Sequence, residues 1–240
     1  MLSQTQTGLL LVNSDQNISI LCMDEEYPLL EVQQEGPMLM CRFQSDEEWC
    51  HFSYNSTSAF LAGFLKLHPG RQYVVVSDDS AFSWLKLHCQ LIWSINCYRL
   101  FQENEIPAGD GTLVVPLLSE HLPLVYDNSK YQQFLSMDYL QKRLESGGGF
   151  CICNAGMPVA WIMTHDDGSV GMLHVLDAFR HRGYARRLIE AMSARVRQKG
   201  RRVFAHIEPS NEASLQLFTS MGFAVKASVT WALVRKFIKA

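Results

Sequence analysis

The stretch from Val170 to Gly200 most constrains what this chain can fold into. Val170 to Leu176 is an apolar run that reads as a strand, and Arg180-His-Arg-Gly-Tyr-Ala185 follows it. From there Ala185, Leu188, Ile189, Met192 and Val196 recur at helical spacing until Gly200 ends the pattern. Strand, glycine turn and helix make an α/β unit with a helix N-terminus directly behind a strand end. The first N–H groups of a helix have no internal acceptor, and the helix dipole adds partial positive charge there. Gly183 and Ala185 are small enough for an anion to approach the backbone, and Arg180 and Arg182 can add charge-assisted bonds. The segment is neither a Walker loop nor a dinucleotide fingerprint, because it lacks Gly-Lys-Ser/Thr and Gly-x-Gly-x-x-Gly. Taken alone, the glycine also fits a plain tight turn.

Charge adds a second constraint. Arg180 to Arg202 holds nine basic residues against Glu190 alone, a local charge of +8 in a chain of net charge −3. Such a run is ordinarily a solvated helix face. A nucleic-acid patch would interleave aromatic side chains for base stacking, and the run has only Tyr184. A polyphosphate would use both the helix N-terminus and outlying arginines. The overall balance, 21 Lys and Arg against 24 Asp and Glu, argues against a surface wholly given to nucleic acid.

The 240 residues, 48% of them apolar, suffice for one large domain or two small ones. No apolar run approaches the roughly 20 residues of a membrane helix. Leu9 to Val12 has neither a basic start before it nor a cleavage pattern after it, so no signal peptide is expected. Seven irregularly spaced cysteines without Cys-x-x-Cys fit reduced intracellular thiols. Cys50-His51 and His88-Cys89 have zinc-ligand chemistry without zinc-site spacing, so no metal is expected. Cys151 and Cys153 share a strand face and are expected to be buried.

In the N-terminal half, Gln72–Ser77 reads as a strand, Ala81–Trp93 as a helix and Cys97–Phe101 as a strand. Glu103 to Gly111 is rich in turn formers, which sets expected domains of 1–118 and 119–240. Tyr131–Glu145 then reads as a helix stopped by Ser146-Gly-Gly-Gly149. Phe150–Asn154 and Pro158–Thr164 read as strands about an Ala155-Gly156 turn, and Asp166-Asp-Gly168 as a second turn. Arg202–Glu208 reads as a strand, Ser210–Met221 as a helix, and Phe223–Val225 and Val229–Val234 as final strands. Ser210 or Asn211 suits the helix cap and Glu212 its first turn.

In this order, strand, Arg-x-x-Gly-x-Ala, helix, strand, Asn-x-x-Ser-x-x-Leu-Phe and Gly-Phe resemble the GNAT superfamily of acyl-CoA-dependent N-acyltransferases. His206 through Ala213, the Leu122 to Gly147 segment and the extra N-terminal half are most similar to its glycine N-acyltransferase-related branch. The likeness covers roughly residues 120–240 and is faint before them, around Tyr73-Val-Val-Val76. It implies an α/β fold with a mixed sheet and two GNAT-like halves. The C-terminal half would carry the acyl-CoA site, and the N-terminal half would be degenerate, without a phosphate loop. The sheet would splay between Val170–Leu176 and Arg202–Glu208 to admit the pantetheine arm. Acetyl-CoA or another acyl-CoA would be the co-substrate. Arg180, His181, Arg182, Gly183, Tyr184, Ala185 and Arg186 would hold its pyrophosphate, and Asn211 would bond the pantetheine or a nearby backbone group. Leu173, Val175, Leu176, Ser214 and Phe218 would complete the contacts, with Val175 or Leu176 N–H holding the thioester oxyanion.

Two residues depart from the family pattern. Many GNAT enzymes have an acidic Tyr where this chain has Phe218, and the glycine-acyltransferase branch has a Glu base where it has Ser169. A base must then come from elsewhere. His174 lies mid-strand, Glu208 ends the next strand, and His206 precedes it on the same face. Each also fits a structural role. The expected activity is acetyl transfer to a primary amine of a small molecule or amino acid by direct attack in a ternary complex, with His174 and Glu208 catalytic. No cysteine sits beside a histidine in the inferred site, so no acyl-cysteine is expected. The alternatives are a non-catalytic acyl-CoA-binding or sensing module, which Phe218 and Ser169 would suit, and a protein whose basic helix meets RNA or an acidic partner. Expected partners are the amine and a second copy of the chain in a homodimer, not nucleic acid or membrane, and the expected location is the cytoplasm.

Overall fold

The structure is a computed structural model that describes residues 1–36, 38–104 and 113–236. The N-terminal elements are α1 (Gln4–Leu11), α2 (Ser14–Glu26), β1 (Leu29–Glu35), β2 (Met38–Gln44), β3 (Glu48–Ser53) and α3 (Thr57–Lys66). Then come β4 (Gly70–Val76), α4 (Asp79–His88), β5 (Gln90–Gln102), β6 (Val114–Pro116), α5 (Leu122–Asp127) and α6 (Met137–Ser146). The C-terminal elements are β7 (Gly149–Asn154), β8 (Met157–Thr164), β9 (Val170–Val175), α7 (Tyr184–Gln198), β10 (Phe204–Ile207), α8 (Glu212–Ser220) and β11 (Phe223–Lys236).

The chain forms two compact units. One comprises Met1–Arg99, Ile207–Ser210 and the residues from Val225 onward; the other comprises Leu100–His206 and Asn211–Ala224. This division differs from a cut at 118/119, because the chain crosses between units several times. The expected linker Glu103–Gly111 lies, from residue 105, outside the described residues.

In the first unit β1, β2 and β3 form an antiparallel meander, β3 pairs parallel with β4, and β4 pairs antiparallel with β11. Both faces of β2 are covered. Met38 and Met40 join Phe52, Phe60, Phe64 and Val74 in one cluster, while Leu39, Cys41 and Phe43 join Leu10, Ile20 and Met23 in another. A strand buried on both sides reads as a continuous apolar run without alternation. The expected helix Ala81–Trp93 ends at His88, and Ile92 belongs to β5, where alternating burial replaces helical spacing. The two expected final strands are one strand, β11.

In the second unit β6, β7, β8 and β9 form an antiparallel sheet. Leu122, Val125, Tyr139 and Leu140 of α5 and α6 pack with Cys151, Trp161 and Met163 of that sheet. Helix α7 packs on β7, β8 and β9, with Leu188, Ile189, Met192 and Val196 buried. Helix α6 starts later than expected. Gln132–Phe134 is a 3-10 turn, and the Ser136 hydroxyl caps the helix by accepting the Tyr139 N–H at 3.0 Å. Cys151 is buried but Cys153 is exposed, because a bulge after Ile152 shifts the register beside the Ala155-Gly156 turn.

Arg143 of α6 is 1% exposed. Its Nη2 donates to Thr164 Oγ1 at 2.9 Å, its Nε to the Thr164 carbonyl at 3.3 Å and its Nη1 to Ser146 Oγ at 2.9 Å. We expect Arg143→Ala to lower unfolding free energy by about 2–4 kcal/mol, since it leaves buried Thr164 groups unpaired. Ser136→Ala, which removes only a cap, should cost about 1 kcal/mol. Urea denaturation of both variants checks the ranking.

Candidate functional site

β9 is the last strand of its sheet, and β10 is hydrogen-bonded into the other sheet, so the ladder stops at the outer edge of β9. After Val170 every β9 residue is partly exposed, whereas β8 is buried from Pro158 to Thr164. The β8–β9 ladder is itself irregular. Met163 faces Gly171 and Trp161 faces His174, so Met172 and Leu173 together oppose Ile162. Met172 has φ +48°, the left-handed conformation of a bulged residue. That conformation costs a non-glycine residue about 1–2 kcal/mol, and strain of this kind collects at functional sites.

The bulge sets which backbone groups face the open edge. Leu176 N–H donates to the Val159 carbonyl at 2.9 Å and is not the free oxyanion donor that was one of two expectations. Hydrogen bonding alternates along an antiparallel ladder, so Val175 turns its N–H and C=O away from β8. Its carbonyl accepts from Arg180 Nε at 3.4 Å.

The turn into α7 begins with a 3-10 turn at Asp177–Phe179 and contains two left-handed residues, His181 at φ +60° and Gly183 at φ +76°. A Cβ on Gly183 would meet nothing within 4 Å, so its backbone angle rather than crowding calls for glycine. No side chain caps α7, and its first intrahelical bond runs from Arg187 N–H to the Gly183 carbonyl at 3.2 Å. The N–H groups of Tyr184, Ala185 and Arg186 precede that bond and lack helical acceptors. Around them Arg180 pairs with Asp177 at 2.7 Å, Arg182 donates to the Ala178 carbonyl at 3.2 Å, and Arg186 donates to Ser220 Oγ at 2.9 Å. All three arginines are exposed, and such contacts are worth about 0–1 kcal/mol.

Four more residues of the basic run are committed elsewhere. Arg195 Nε donates to the Gly147 carbonyl at 3.1 Å, Lys199 Nζ to the Ser146 carbonyl at 2.7 Å, and Arg197 to Gln102. Arg202 lies 4.3 Å over the Phe101 ring. These side chains satisfy carbonyls and rings far along the helix from its N-terminus.

His174 stacks on the buried Trp161, ring centroids 4.8 Å apart and planes 16° from parallel. Burial pushes its imidazole below the ordinary histidine value; Arg180 adds to this and Asp177 opposes it. Asn211 Oδ1 caps α8 by accepting the Ser214 N–H at 3.2 Å. Phe218, expected at the cofactor, is 3% exposed and packs edge-on against Phe223 at 4.9 Å, so it is a core residue. Glu208 groups with the first unit.

Asp166-Asp-Gly168 forms the expected turn. Within it Asp167 Oδ2 lies 3.2 Å from His206 Nδ1, with both side chains under a tenth exposed. Its Oδ1 accepts the Ser169 N–H at 3.0 Å. Burial pushes the Asp167 carboxyl up, but the charge and hydrogen bond of His206, with help from His165 and the Ser169 N–H, hold it well below the carboxylate range. His165 lies against Gly171, where a Cβ would come within 2.3 Å of its Nε2. Burial pushes His165 below the ordinary value, Asp167 opposes that, and Arg143 adds to it. No periodicity marks an aspartate in a turn as buried; its alternation with His165 and Ser169 was the only trace.

Among the described residues no group of three or more His, Cys, Asp or Glu is placed to hold a metal, and no helix is long and apolar enough to cross a membrane.

Residues 148–232 match the family model described as FR47-like protein. No curated protein matches the chain. A solved structure of a Drosophila protein is 18% identical, covers 94% of this chain and 89% of its own, and superposes with a TM-score of 0.73. A GNAT-family protein from Novosphingobium aromaticivorans is 16% identical, with coverages of 86% and 92% and a TM-score of 0.58. A GCN5-related N-acetyltransferase from Kribbella flavida is 11% identical, with coverages of 93% and 95% and a TM-score of 0.57. The chain has the GNAT fold, a mixed α/β arrangement with two sheets, as the resemblance implied.

Gly183→Ala should cost about 1–2 kcal/mol of stability through backbone strain alone, measured by urea denaturation. Stability should also depend on pH in two ranges. His165 and His174 titrate below the unfolded value of 6.5, so the unfolded chain takes up their protons first and stability declines as pH falls below about 6.5. Asp167 titrates below its unfolded value of 3.8, so its contribution is complete above about pH 4 and is lost as pH falls through the folded value. Urea midpoints between pH 8 and pH 3 should show both declines, and Asp167→Asn should diminish the lower one.

Proposed function

From a chain with the GNAT fold and an FR47-like region over residues 148–232, we propose an acyl-CoA-dependent N-acyltransferase that moves acetyl from acetyl-CoA to the primary amine of a small molecule or amino acid. One observation carries this reading: a strand edge with an outward Val175 N–H leads within nine residues to an uncapped helix N-terminus. The helix N-terminus suits a pyrophosphate. The strand edge suits an amide-bonding pantetheine arm and its thioester.

Binding would draw Arg180, Arg182 and Arg186 from weak exposed partners onto phosphate oxygens, a stronger charge-assisted contact. The Tyr184, Ala185 and Arg186 amides take the remaining oxygens. Val175 N–H polarises the thioester carbonyl and holds the oxyanion as the amine attacks. The C–N bond forms, the C–S bond breaks, and the amine proton must leave. Phe218 is in the core and supplies no acid, so the thiolate takes its proton from the amine's base or from water. His174 lines the strand, its imidazole pushed below the ordinary histidine value by burial and then by Arg180.

The first unit is read as a copy that has lost the phosphate turn. Its helix α4, which follows β4, is capped by Asp78, whose Oδ1 accepts the Ala81 N–H at 2.8 Å, and Asp79 stands in its first turn. Two carboxylates at a helix N-terminus repel phosphate. Buried Ser169 and Phe218 are also what a non-catalytic acyl-CoA sensor would show.

Calorimetric titration with acetyl-CoA should give micromolar binding, about −8 kcal/mol, weakened at least tenfold by Arg182→Glu or Arg186→Glu. Thiol release on adding an amine separates enzyme from sensor. No binding by acetyl-CoA or coenzyme A to folded protein removes both readings.

A further inference from the structure

We propose that the first unit carries a binding site for an alkylammonium cation, built from the rings of Trp49, Tyr73 and Trp93 and the carboxylates of Asp46 and Glu47. All of these residues lie within Met1–Arg99. The assignment does not depend on the acyltransferase reading.

The site starts from strand register. β3 and β4 run parallel with Trp49 opposite Tyr73, and Leu233 of β11 lies opposite Tyr73 on its other side. The following residues, Cys50 and Val74, turn into the cluster that holds Phe60 and Phe64 of α3. Side chains alternate along a strand, so Trp49 and Tyr73 stand on the other face of the sheet. There Trp49 packs with Ile95 and Trp231 against the buried Val75, Cys97 and Val229. Trp93 completes the group. Ring centroids are 5.1 Å apart for Trp49 and Tyr73, 6.1 Å for Trp49 and Trp93, and 6.3 Å for Tyr73 and Trp93. The planes meet at 59°, 69° and 58°, so no two rings are stacked and the three form the walls of a corner. Each ring is only partly buried.

The polar edges of two rings hold the carboxylates. Trp49 Nε1–H donates to Asp46 Oδ1 at 2.9 Å, and the Tyr73 hydroxyl donates to Glu47 Oε1 at 3.0 Å. Asp46 Oδ1 also accepts the Glu47 N–H at 2.8 Å, which fixes the turn between β2 and β3. Both acidic side chains are exposed, and among the described residues neither has an ion pair. Glu48 beside them turns to Arg42 at 3.9 Å instead. Two unpaired carboxylates held side by side repel each other, a cost that a bound cation removes. A ring face and a carboxylate attract the same kind of ion, and alkyl groups on that ion bury apolar surface against the indoles.

The cations on this face oppose binding but are outweighed at the rings. Arg71 stands two residues before Tyr73 and faces Arg235 of β11. Burial, then Glu47 and Asp46, push the Tyr73 phenol up, and Arg71 opposes them with the weakest effect. His51, two residues beyond Trp49, is buried edge-on against Phe43.

The test titrates the full chain with choline and, separately, with 3,3-dimethylbutan-1-ol, which has the same shape without the charge. Proton–nitrogen NMR of the indole N–H groups is the readout, and Trp49→Phe assigns the Trp49 signal by removing it. Choline should shift the Trp49 signal saturably, and the neutral alcohol should bind about tenfold more weakly or not at all. The double variant Asp46→Asn, Glu47→Gln, at two exposed positions, should weaken choline about tenfold, while Glu145→Gln should leave it unchanged. Equal binding of choline and the alcohol overturns the proposal, because the corner is then only an apolar patch. Unchanged choline affinity in the double variant, a shift confined to the Trp161 signal of the second unit, or no shift at all also overturns it. The comparison of choline with the alcohol uses the unmodified chain and decides the matter even if the double variant does not fold.

Discussion

A hydrogen-bond ladder that stops at the outer edge of β9 is the constraint on which the rest of the second unit depends. Backbone N–H and C=O groups demand partners, and a sheet edge left open must be guarded or used. Here the edge is short, bulged at Met172 and followed at once by a turn with two left-handed residues. The bulge changes register so that Val175 faces outward while Leu176 returns to Val159. An unbulged strand would present the opposite set of groups.

Around that edge the basic side chains divide by position along α7. Those near its N-terminus hold weak, exposed partners that a phosphate would displace. Those near its C-terminus are bonded to main-chain carbonyls and an aromatic ring, so the helix is fastened at one end and open at the other. Charge density alone does not separate the two populations. The turn from β4 into α4 in the first unit carries Asp78 and Asp79, and Asp78 caps that helix by accepting the Ala81 N–H.

Much of the second unit was legible because its signals are local. Glycine turns at Ala155-Gly156, Gly183 and Gly200, the stripe from Leu188 to Val196 and the Asn211 cap each act within a few residues. The first unit was poorly legible because β2 is buried on both faces and loses the alternation that marks a strand, and because β3–β4 is a parallel, non-local pairing. Within the site, the turn and helix start were readable, but which N–H faced outward depended on a one-residue bulge that no periodicity shows. Phe218 followed its motif yet lies in the core, and Asp167 stands in the expected turn yet is buried on His206. Both depend on packing between elements distant in sequence.

In the proposed function one continuous stretch, the β9 edge and the α7 N-terminus, receives the acyl donor. Amide hydrogen exchange of the full chain with and without coenzyme A tests it directly. Slowed exchange is expected in peptides spanning Leu173–Leu176 and Tyr184–Arg187, with the Arg195–Arg202 end of the basic run unchanged. Slowed exchange confined to that end, or to the first unit, would contradict it.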